Sequence, residues 1–221
     1  MLASYVFVAL AGFLFGSALN SYILHCFQKE DSVVHSHSHK MFFRQPLVAF
    51  LYSLLFILVY YRFGFSIDLA EYGIMVFILI AVAVIDLKTM EIPDKIICFG
   101  FVAASFFTLI RIIFFKESLF IHFSGFLAGG GVFLLIALIT KAMGGGDIKL
   151  MALLGLWMGL RSIFMTVFLS FFIAAIISVI LLITGKKGRK DYIPFAPFIS
   201  AAAFMVSVFE EELLQVWFLI L

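Results

Sequence analysis

Two short acidic stretches carry the chemistry this chain offers. Residues 143–151 read MGGGDIKLM, and residues 85–95 read IDLKTMEIPDK. Each sets an aspartate, Asp147 or Asp86, at the edge of a strongly apolar run. An ionisable residue beside hydrocarbon is costly and by default a functional candidate. Gly144, Gly145 and Gly146 precede Asp147. Glycine frees the backbone to turn and lets another chain approach closely. At a membrane boundary it also unwinds a helix end and admits water. The design suits a carboxylate that must meet a polypeptide at close range.

Two facing carboxylates support one kind of reaction well. Like charges in contact do not both ionise freely, so the pair shares a proton. The ionised partner takes a proton from water, the protonated partner polarises a peptide carbonyl, and the roles then exchange. This mechanism needs no covalent intermediate, nucleotide, metal or other cofactor. The plainer alternative is two unrelated helix-end charges that reach into the headgroups, with glycines that serve helix packing.

The surrounding sequence decides where these residues sit. Of 221 residues, 65% are hydrophobic and only 13% charged, whereas a soluble domain carries about a quarter charged residues. Mean hydropathy is +1.21. The expected fold is all-α: one polytopic transmembrane bundle over residues 1–221, with no added soluble domain. The apolar runs predict eight spans, roughly at 3–24, 46–63, 69–86, 95–115, 119–142, 148–160, 162–184 and 194–209. The sixth is short, about 20 Å as a helix, and adjoins the seventh at Arg161. The apolar N-terminus reads as a retained first span, since no cleavage site follows it.

Eight spans put both termini on one side. Of the 15 Lys and Arg residues, 11 then fall in the first loop, the 87–95 loop, the GGGD loop and the 185–193 loop. The positive-inside rule places those loops in the cytoplasm and both termini outside. Asp86 closes the third span on the cytoplasmic side, and Asp147 follows the end of the fifth. The two are 61 residues apart yet share one bilayer depth. Packing of the third helix near the sixth would bring them together.

At these residues the chain resembles the type IV prepilin peptidase family of bacterial membrane aspartyl proteases. GGGDIKL is similar to the family's GxGD signature, with Asp147 at the catalytic position. IDLKTMEIPD is similar to its first catalytic motif, with Asp86 at the catalytic position and Ile92, Pro93 and Asp94 as the trailing element. GSALN (16–20) and IPFAPFISAAA (193–203) match further family segments, in family order. The resemblance implies removal of a short basic leader from prepilin or pseudopilin precursors at the cytoplasmic face of the inner membrane. The partners it implies are the precursor's N-terminal segment and membrane lipid, with no nucleic acid.

One departure bears on a second activity. Many members carry a cytoplasmic insert with two CxxC pairs, similar to a zinc ribbon, and N-methylate the new pilin N-terminus. Residues 25–45 form a short loop in its place, and 28–45 hold no cysteine. A ribbon needs four ligands at set spacings, so methyl transfer is not carried over. His35, His37 and His39 alternate in this loop and are a metal-binding candidate; a solvated polar loop is the alternative.

Other residues have supporting roles. Asp94 either orients substrate or caps the fourth span, and Pro93 and the three glycines shape the site. Lys149 either stabilises the ionised pair or snorkels. Asn20 is expected to hydrogen-bond a neighbouring helix. GKKGRK (185–190) anchors the flanking spans to anionic headgroups. Cys26 and Cys98 are too distant for a disulfide framework and read as buried apolar residues. A different class of function remains: a small transporter or channel that uses the same acids for protons or cations. A presenilin-like protease would place its acids mid-bilayer, and an inactive pilin-binding scaffold would not need them.

Overall fold

The computed structural model describes residues 2–30, 45–140, 143–186, 188 and 191–220. The His35, His37 and His39 candidate lies outside the described residues. Seven helices are assigned among them: α1 (Leu2–Glu30), α2 (Gln45–Phe63), α3 (Ile67–Thr89), α4 (Asp94–Phe115), α5 (Leu119–Thr140), α6 (Gly145–Ile183) and α7 (Ala196–Ile220). Lipid offers no hydrogen bonds, so a spanning segment satisfies its backbone internally as helix. Five of the seven, α1 and α3 to α6, are long and apolar enough to cross a membrane, and α2 supplies a shorter apolar stretch.

Helix ends coincide with local signals. Gly64 ends α2 at φ 64°, its N–H donating to Tyr60 O at 2.8 Å. Met90 ends α3 in the left-handed region at φ 56°. Pro93 and Gly144, both extended, precede α4 and α6.

The chain divides into two compact units, Met1–Val84 and Ile85–Leu221. In the first, α1 and α2 pack backbone to backbone. A Cβ on Gly16 would lie 2.6 Å from Ala49 Cα, and one on Gly12 would lie 3.0 Å from Ser53 Cα. Ser53 Oγ donates to Ala9 O across this contact at 2.9 Å. Gly16 of the GSALN stretch is thus a packing residue, and Asn20 is buried four residues on. Cys26 is half-buried; Cys98, in the second unit, is exposed, contrary to the expectation of two buried thiols.

The second unit is built on α5 and α6. Gly125 faces the backbone of Gly155 and Gly159, and Gly129 faces Met151 O. Small residues at these positions let the two backbones touch. A Cβ on Gly129 would also lie 3.0 Å from Ile163 Cγ1. Met151 and Ile163 would stand about 18 Å apart along a continuous helix. They meet at one glycine because α6 folds back at Gly159, whose φ of 80° and ψ of 178° are not helical. The two expected spans at 148–160 and 162–184 are therefore two limbs of one assigned helix, broken at Gly159 rather than at Arg161. Thr108 Oγ1 of α4 donates to Leu156 O at 3.3 Å, and His122 Nδ1 of α5 lies 3.0 Å from the same carbonyl. These contacts hold the end of the first limb, whose other end carries Asp147. The α7 helix also departs from helical geometry, at Phe209.

Candidate active site

Asp86 lies in the last turn of α3, within the second unit, and is 5% exposed. Its backbone closes that turn: the Met90 N–H donates to Asp86 O at 2.9 Å. Thr89 steadies the exit, since Glu91 N–H donates to Thr89 Oγ1 at 3.3 Å. The Asp86 side chain is held from the far end of the sequence. Oδ2 accepts the N–H of Ala196, the first residue of α7, at 3.0 Å. A carboxylate at a helix N-terminus satisfies one of its free donors. Pro197 has no N–H to offer, and Phe198 and Ile199 donate to Phe195 O instead. Phe195 packs against Phe133 and Phe171, with ring centroids 5.9 and 5.1 Å away. This aromatic cluster fixes where α7 begins and so fixes the donor that orients Asp86.

Asp147 sits in the first turn of α6. Its N–H donates to Gly144 O at 3.2 Å, and its carboxylate accepts a hydrogen bond from the Gly144 backbone. The carboxylate thus supplies the half of a capping box in which the third helical residue reaches back to the N-cap N–H; Gly144 has no side chain to supply the other half. The other oxygen, Oδ1, is buried and has no partner among the described residues. Asp86 acts electrostatically on Asp147. The fold therefore brings together two carboxylates that the sequence separates by 61 residues. One retains a buried oxygen with no hydrogen-bond partner among the described residues.

The neighbouring residues divide by role. A Cβ on Gly146 would stand 2.8 Å from Ile92 Cβ, so this glycine permits the 90–93 segment to lie on α6. A Cβ on Gly145 would meet nothing within 4 Å among the described residues, and both Gly145 and Gly144 are exposed. The space beside Gly146 is filled by Ile92. Pro93 precedes α4 without a side-chain cap, so Asp94 is the first helical residue rather than the cap. Lys149 does not turn to the aspartate pair: its Nζ donates to Asp94 Oδ1 at 2.6 Å. Ile92 was read from sequence only as part of the motif's trailing element, and the Ala196 N–H was not singled out. The prolines flanking Phe195 and Ala196 were the available signal for the second, and nothing in the apolar pattern marked the first. No cluster of three or more potential metal ligands occurs among the described residues.

Comparison with known proteins places this arrangement. The family model described as "Type IV leader peptidase family" matches residues 73–179, which include both aspartates. A prepilin leader peptidase/N-methyltransferase of Bacillus subtilis is 31% identical over 180 residues, covering 80% of this chain and 71% of that protein.

The chain belongs to the type IV leader peptidase family.

Relatives of the same name from Pseudomonas aeruginosa and Stutzerimonas stutzeri are 29% and 28% identical, over 79% and 77% of this chain. The chain spans only 61% and 60% of those two proteins. No solved structure matches it.

Proposed function

We propose that this protein is a membrane aspartyl endopeptidase that removes the short leader from prepilin or pseudopilin precursors, with Asp86 and Asp147 as its catalytic pair. One observation carries the reading: two carboxylates from distant segments converge, and Asp147 Oδ1 is buried without a partner among the described residues. Family membership supplies the substrate class, through relatives named as prepilin leader peptidases.

In the reaction, one shared proton serves both halves. The ionised carboxylate takes a proton from a water at Asp147 Oδ1, and the water oxygen bonds to the scissile carbonyl carbon. The protonated carboxyl donates to the carbonyl oxygen. Collapse of the tetrahedral intermediate breaks the C–N bond, and the proton taken from water passes to the leaving amine. The exposed backbone at Gly144 and Gly145 gives an extended substrate its line of approach.

The fold-back at Gly159 gives α6 two limbs, which supports eight crossings in one membrane domain. Both termini then lie outside, and the aspartate pair faces the cytoplasm under the positive-inside rule. N-methylation is not part of this proposal.

The test is cleavage of a prepilin-type precursor by the purified protein in detergent, read by product mass. A trimmed precursor is expected. Intact precursor, together with proton or cation flux through reconstituted protein, would favour the transporter reading instead.

A further inference from the structure

Two ties join the segment after Asp86 to the first turn of α6, and the chemistry above uses neither. Ile92 rests on Gly146. Asp94 pairs with Lys149 at 2.6 Å, a short, charge-assisted contact. On one strand of this junction the anchors are Ile92 and Asp94, with Pro93 between them. Pro93 sits at φ −64° and ψ 124°, and its ring fixes the first of these angles. On the other side the anchors are Gly146 and Lys149. They are three residues apart, share a helix face, and flank Asp147. One contact alone would fix a point and leave the segment free to pivot about it. The second contact, on the far side of a stiff proline, removes that freedom.

We propose that the Asp94–Lys149 ion pair is a clasp that sets the spacing of Asp86 and Asp147, both partners acting as positioning residues. The proposal rests on the catalytic reading of the two aspartates. The clasp side chains are 70% and 53% exposed, and exposed pairs contribute little to folding. Loss of the clasp is therefore felt in geometry and not in stability.

The experiment compares Asp94→Asn, Lys149→Met and the charge-swapped pair D94K/K149D with wild type. Each single variant is expected to lose kcat by about tenfold, since sub-ångström to 1 Å misplacement of reacting groups has effects of that order or more. KM and Tm stay near wild type, and the swap recovers most of kcat. Amide hydrogen exchange supplies a readout independent of turnover. Lys149→Met should speed exchange at Met90, Ile96 and Ile97, more than 50 residues away in sequence, and the swap should restore protection. Unchanged exchange there, or a swap no better than the single variants, overturns the clasp. If wild type cleaves no precursor, the catalytic reading fails, while the exchange comparison still decides the clasp.

Discussion

Replacing Gly146 with alanine should impair turnover far more than folding. The new Cβ would lie 2.8 Å from Ile92 Cβ, 3.1 Å from Cγ1 and 3.2 Å from Cδ1. Carbon atoms rest at about 3.5–4.0 Å, so the 90–93 segment must retreat from α6 by roughly 1 Å. Overpacking that cannot relax costs about 1–3 kcal/mol. Here Glu91 is exposed and Ile92 half-buried, so the segment yields and the stability loss falls at or below the low end of that range. The displacement is passed to the junction that spaces the two aspartates. Misplacement by 1 Å lowers turnover by up to about a hundredfold. The assay is kcat and KM for precursor cleavage in detergent, with Tm measured on the same preparations. Gly131→Ala in α5 is the control, because no described atom lies within 4 Å of its Cβ position; it should keep wild-type kcat. Adding Ile92→Ala to Gly146→Ala removes the Cγ1 and Cδ1 contacts but leaves Cβ, so partial recovery is expected. A folded Gly146→Ala protein with wild-type kcat would refute the reasoning that this close approach sets the geometry.

Three further outcomes follow from the same structure. Gly155→Leu should prevent stable assembly of the second unit, because any Cβ there meets Gly125 O; the check is thermal unfolding in detergent. Gly159→Ala should lower stability by about 1–3 kcal/mol, because φ 80° with ψ 178° is a region open essentially to glycine alone, and by more from the 2.9 Å approach to Ile121 Cγ2, again read as Tm. A proton shared between two carboxylates predicts a bell-shaped pH–kcat profile, lost on the acid side when both are protonated and on the alkaline side when both ionise; a monotonic profile would count against the shared proton.

The helices were legible because apolar runs bounded by Gly, Pro and charge can only be helical in lipid. The observed bounds of α2, α4 and α5 lie within two residues of those expected. The junction of the sixth and seventh expected spans was harder to place. Arg161 drew attention as the charge, but the break occurs at Gly159, where only glycine accepts the backbone angle. Asp86 and Asp147 were legible as acids at the edges of apolar runs, and the span count led to the expectation of a common depth. What orients Asp86 was not legible, since the Ala196 N–H is a backbone group 110 residues away. Gly146 and Lys149 were read as neighbours of substrate and of the acid pair. Their partners, Ile92 and Asp94, come from a distant segment whose register no local pattern specifies.

The central claim is that Asp86 and Asp147 together perform the hydrolysis. The most direct measurement is single-turnover cleavage of a prepilin-type precursor by wild type, Asp86→Asn and Asp147→Asn, each shown to be folded by its unfolding transition. Asparagine keeps the shape of the side chain but can neither ionise nor pass a proton. The account predicts a trimmed product from wild type and none from either variant. Continued cleavage by one folded variant, at a rate near wild type, would contradict it.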